Sequence, residues 1–203
     1  MKNKTYFVYI AAYVALLLPS PGRFIFGFIL MAELFLLTLT GTLVNSLIRK
    51  LEMQEMHSII SVLFILTTTL VLRQVLVITY PETVLTLGYM LYLPAVSLFM
   101  IGYLYKDNGS SLKKRLEFNL RSVTFFTIAG LIYSLVRDIL GFGTFTFFGA
   151  KHQIYQKVII SSDSAGVFSF LATLPGGFML ASICMFVTTY IADKFDKIKK
   201  AEA

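Results

Sequence analysis

The chain has 203 residues, 57% hydrophobic and 14% charged, with a mean hydropathy of +0.76. A soluble domain carries about a quarter charged residues, so this composition points to a bilayer as the solvent and excludes an ordinary water-soluble globule. The formal net charge is +7, and the single cysteine, Cys184, excludes an internal disulfide and any cluster held by several thiolates of this chain.

Crossing a ~30 Å hydrocarbon core takes ~20 apolar residues in a helix. Only helices or closed barrels satisfy the backbone there. The apolar runs are continuous rather than alternating, which selects helices. The expected fold is an all-α integral membrane protein, one polytopic domain over residues 1–203 with six spans. These are residues 5–19, 24–48, 58–80, 86–105, 118–140 and 167–191. The first run, Tyr6–Leu18, follows Lys2 and Lys4 but no small-x-small cleavage site follows it, so it is expected to be retained. It ends at Leu-Leu-Leu-Pro-Ser-Pro-Gly-Arg-Phe, residues 16–24, and a second run begins at once. Pro19 and Pro21 each remove a donor and disfavour a continuing helix. Either span one is short and this is an outer loop, or the helix is broken at depth. Between spans five and six, residues 141–166 form a longer loop rich in glycine, serine and aromatics.

Lysine and arginine set the orientation. With the N-terminus inside, thirteen of them fall on the inner side, from Lys2 and Lys4 through Lys113, Lys114 and Arg115 to Lys200. Four fall outside, Arg23, Arg137, Lys151 and Lys157, and Arg73 lies in a span. Both termini are therefore expected to be cytoplasmic, and the positive charge is mainly a topology signal facing anionic inner-leaflet lipid. Six spans divide three and three, the pattern of inverted repeats.

Two ionisable residues lie deep in apolar spans: Glu33 and Arg73. Glu33 is ~12 Å below the outer end of span two and Arg73 ~10 Å below that of span three, at 1.5 Å per residue. A mid-membrane Arg costs ~2.5 kcal/mol or more when isolated. They are expected to form an ion pair inside the bundle or to belong to an ion or proton path. Arg137 and Asp138, at the outer end of span five, read as an interfacial anchor. Cys184 reads as a small apolar residue of span six. His57 and His152 lie outside the spans. The sequence contains no GxxxxGK phosphate loop, no HExxH and no nucleophile elbow.

Several segments, taken together, carry a resemblance. They are Leu16-Leu-Leu-Pro-Ser20, Ser46-Leu-Ile-Arg-Lys50, Arg73-Gln-Val-Leu76, Arg137-Asp-Ile-Leu-Gly-Phe-Gly-Thr144 with Phe147-Phe-Gly149, and Leu174-Pro-Gly-Gly-Phe178. The chain resembles the six-helix membrane subunits of the Rnf and Na⁺-translocating NADH:quinone reductase complexes, of the Rnf E / Nqr D type. The resemblance extends over nearly the whole chain and implies two inverted three-helix repeats with helices 1 and 4 broken. In that family two such subunits share an iron–sulfur cluster held by cysteines at the breaks. Those positions correspond to Leu18 and, by a loose count, Leu98, so neither binds metal.

The expected function is that of a non-catalytic membrane subunit of such an oxidoreductase/translocase, diverged and without its own iron–sulfur ligands. Catalytic, cofactor-binding and metal-binding residues are all expected to be absent from this chain. Flavin and iron–sulfur clusters would sit on partner subunits, among them an inverted homologous six-helix subunit. No nucleic-acid partner is expected. The location implied is a bacterial cytoplasmic membrane. The alternative is the substrate-binding membrane component of a small-solute, vitamin-type transporter, which shares the six-helix size and an Ala11-x-x-x-Ala15 spacing.

Overall fold

A computed structural model describes residues 16–51, 56–97, 111–149, 153–160 and 169–201, with the backbone alone from residue 191 onward. Four long helices dominate: α1 (Phe24–Lys50), α2 (His57–Thr79), α5 (Leu112–Phe142) and α6 (Leu174–Ala201). Between α2 and α5 lie α3 (Pro81–Leu87), a 3-10 turn over Gly88–Tyr92, and α4 (Leu93–Val96). Strands β1 (Thr144–Phe148) and β2 (Ile154–Val158) follow α5, and a second 3-10 turn, Ser169–Ala172, leads into α6. Helices α1 and α5, and α2 from Ile59, are long and apolar enough to cross a membrane; the apolar part of α6 is shorter, Leu174–Cys184.

Helix α1 is central, packed on α5 along one side and on α2 along another. Small residues bring α1 and α5 together. A Cβ at Gly27 would overlap the Ser134 hydroxyl, and one at Gly130 would come to 2.7 Å from the Met31 sulfur. Close backbone approach of this kind is how helices associate where lipid removes the hydrophobic drive between them. Leu34, Leu37, Val123 and Phe126 fill the seam with Leu16–Leu18, and Asn119 donates to the Thr42 hydroxyl across it at 3.1 Å. A second core joins Ile25, Phe26, Ile29 and Leu30 of α1 to Val84, Leu87 and Leu91.

Helix α2 is inside out by soluble standards. Its buried residues are Ser61, Ile65 and Thr69, four apart on one stripe, while Ile59, Leu63, Val71 and Ile78 are exposed. Polar residues inward and aliphatic residues outward is the arrangement hydrocarbon solvent selects.

The structure corrects several expectations. Residues 141–166 are not all loop: β1 and β2 form an antiparallel hairpin, Thr144 opposite Val158 and Phe148 opposite Ile154. Thr-Phe-Thr-Phe-Phe is an alternating run of strand formers. It starts where Gly143, at φ 67°, stops α5 in the left-handed conformation, its N–H donating to the Ile139 carbonyl at 3.0 Å. Span four, expected over residues 86–105 as a broken helix, is described only as far as Ser97, and the chain turns twice before that point. Gly88 turns the chain at φ 52°, and Pro94 opens a short α4 that ends at Ser97. Helix α5 begins six residues before the expected boundary, and α6 seven after it. Of span one, residues 5–15 lie outside the described residues, as do 98–105 of span four.

Candidate functional site

Two polar centres stand out in an otherwise apolar molecule. The first is built on Arg137 and Asp138 in the last turns of α5. They are 3% and 0% exposed, so they are not an interfacial anchor. The Asp138 carboxylate accepts from the Phe24 backbone N–H (3.1 Å), the Thr144 hydroxyl (3.0 Å), the Thr146 N–H (2.9 Å) and the Thr146 hydroxyl (2.7 Å). Arg23 precedes α1 without a side-chain cap, and the first turn of α1 has no acid of its own. Asp138 therefore supplies from another helix the anion that a helix N-terminus favours.

Arg137 points the other way. It donates to the carbonyls of Ser20 (3.0 Å), Ala172 (3.3 Å) and Leu171 (3.4 Å). Gly177 sits against this guanidinium: an added Cβ would lie 3.2 Å from its central carbon. Tyr133, one turn earlier, donates to the Gly177 carbonyl at 3.1 Å. A Cβ at Gly176 would strike the Phe170 carbonyl, and one at Gly141 would reach 2.8 Å from the Ala172 N–H nitrogen. Gly141, Gly176 and Gly177 are thus small because the chain crosses itself here.

The Pro-Ser-Pro-Gly turn is held by the same pair. Ser20 is buried, its hydroxyl donating to the Leu17 carbonyl at 2.8 Å, and Arg23 N–H donates to the Pro21 carbonyl at 2.8 Å. The turn is therefore packed under Arg137 and is not a free outer loop. Around this end of the molecule Phe24, Phe28, Phe145, Phe147, Phe148 and Tyr80 form an aromatic cluster with ring centroids 4.6–6.3 Å apart. Arg23 covers the Phe142 ring at 5.3 Å.

The second centre is Glu33, 1% exposed in the middle of α1. Neither carboxyl oxygen has a hydrogen-bond partner among the described residues, nor does Nε of Arg73 or the buried hydroxyl of Ser61. Glu33 and Arg73 are therefore not joined by a hydrogen bond. The Thr69 hydroxyl of α2 lies beside Glu33, one helical turn from Arg73. Further along the α1/α2 seam, His57 bonds to the Asn45 side chain.

Leu18, expected from the resemblance to stand in place of a cysteine, is 3% exposed in the apolar core. It offers hydrocarbon and no donor atom, so an iron–sulfur group does not fit there. Leu98 and His152 lie outside the described residues. Cys184 is partly buried beside the same core. Among the described residues no three His, Cys, Asp or Glu side chains gather as a metal site.

Sequence reasoning found Glu33 but missed the role of Arg137 and Asp138. Adjacent opposite charges at a helix end look alike whether they face water or backbone. The nearby glycines were the signal that backbone is packed against them. Compared with known proteins, the chain matches no family model and no curated relative.

Proposed function

We propose that this chain is a membrane subunit of an Rnf/Nqr-type ion-translocating electron-transport complex, holding no iron–sulfur cluster of its own. One observation carries the reading. Three of the segments on which the resemblance rests, Leu16–Ser20, Arg137–Thr144 and Leu174–Phe178, are far apart in sequence yet meet around the Arg137 guanidinium and Asp138 carboxylate. Three unrelated similarities have no reason to meet; parts of one tertiary unit do. The chain would pack against an inverted homologous six-helix subunit in a bacterial cytoplasmic membrane, termini inward, with flavin and iron–sulfur chemistry on its partners.

The experiment is gentle solubilisation of the native complex, followed by identification of the subunits and assay of iron, sulfide and flavin. Recovery of Rnf/Nqr-type subunits in fixed stoichiometry, with the cofactors retained when this chain is dissociated, supports the proposal. Recovery of a pair of ATPases with a coupling membrane protein would replace it with the vitamin-type transporter. Iron bound by this polypeptide would overturn the cluster-free role.

A further inference from the structure

The Glu33 carboxyl has a defined shortage. An ionised carboxylate is acceptor-only, and it needs donors. Thr69, beside it on α2, has one hydroxyl hydrogen, and this is donated to the Ile65 carbonyl at 3.1 Å. Thr69 therefore has no hydrogen left for Glu33, whose two oxygens are both without a partner. An unpaired charge in hydrocarbon is costly. A proton on Glu33 reverses this, making the carboxyl a donor to a ready acceptor.

We infer that Glu33 is a proton-binding site within the membrane-spanning part of the molecule, its carboxyl carrying an exchangeable proton directed at Thr69. The proton comes from water and returns to it, with no electron transferred. Among the described residues, Thr69 and the two carboxyl oxygens fall short of the six or more oxygens a hard divalent ion takes. Among the described residues, no titratable group on α1 or on the elements packed around it is hydrogen-bonded to the Glu33 carboxyl. On α2 these are His57, bonded to Asn45, and Arg73; α3 carries Glu82. Helix α5 carries Lys113, Lys114, Arg115, Glu117 and Arg121 toward one end and Tyr133, Arg137 and Asp138 toward the other. Arg49 and Lys50 lie in the last turn of α1, and α4 and β1 carry no titratable residue. The site needs only the bilayer, not the assembly proposed above.

Infrared spectroscopy of the protein in liposomes tests it. At neutral pH the wild type should show the C=O stretch of a protonated carboxyl, shifting on transfer to D₂O and lost in Glu33→Gln. Thr69→Val should move the same band to higher frequency by removing its acceptor. Asp138, the other buried acid among the described residues, is unchanged by these substitutions and drops out of the difference. No difference between wild type and Glu33→Gln overturns the inference, and so does a band that never exchanges in D₂O. Loss of the band on adding sodium at fixed pH would replace the proton by a cation and also overturn it. Should Glu33→Gln fail to fold, the wild type alone suffices with a membrane-soluble carbodiimide, which attacks protonated buried carboxyls. A Glu33 adduct whose yield falls as pH rises supports the site, and no adduct at any pH sinks it.

Discussion

Asp138 and Glu33 are both acids sealed from solvent, at 0% and 1% exposure, and they differ in what surrounds them. Asp138 accepts four hydrogen bonds, two of them from the backbone N–H groups of Phe24, at the start of α1, and Thr146, within β1. Charge-assisted bonds of this kind are the strong ones. Asn at 138 keeps the shape but presents an NH₂ where an oxygen accepted, setting donor against donor. Asp138→Asn should therefore destabilise the protein by about 2–4 kcal/mol, as leaving buried donors unpaired does. Loss of helical circular dichroism on heating in detergent measures it, and an unchanged midpoint would refute the capping role. Glu33 has no such partners, so its removal as Gln should leave the same midpoint within about 1 kcal/mol.

At the scale of elements, the α1/α5 crossing depends on glycines rather than on side-chain bulk. Alanine at 27 places a methyl on the Ser134 hydroxyl and within 2.6 Å of its Cβ. Gly27→Ala should cost about 1–3 kcal/mol by overpacking. Ser134→Gly in the same chain should recover most of this, because it clears both atoms. The thermal midpoints of the two single variants and the double variant test the coupling; strictly additive losses would place the strain elsewhere. This contact also marks the limit of what could be read beforehand. Helices α1 and α2 were legible to within two residues because hydropathy alone defines them. The hairpin was not, because five alternating residues, Thr144–Phe148, are brief beside runs of more than twenty. Nor was the burial of Arg137, whose carbonyl partners lie 117 and 34–35 residues away. Glu33 was legible as an ionisable residue within a long apolar run. Its orientation was not, since which way a helix faces is decided by packing against α2 and α5.

The whole molecule is polarised along its long helices. Helix α5 has 31 residues, a length of ~46 Å at 1.5 Å per residue, which exceeds a ~30 Å hydrocarbon core. The surplus falls at its N-terminal end, where Lys113 and Lys114 are exposed and Arg115, Glu117 and Arg121 follow. The opposite end meets the hairpin and the aromatic cluster, where Tyr80 is of the type enriched at a membrane–water interface. Lys157 on β2 and Lys114 on α5 should therefore lie on opposite sides of the bilayer, with Lys114 on the cytoplasmic side if positive residues set the direction. Cysteines placed singly at 157 and at 114, in a chain with Cys184→Ala, make this measurable with a thiol reagent that cannot cross membranes. In intact cells the cysteine at 157 should label and the one at 114 should label only after permeabilisation. The reverse pattern would invert the molecule. Labelling of both in intact cells would mean that α5 does not cross, and the seam holding Glu33 would then face a different solvent.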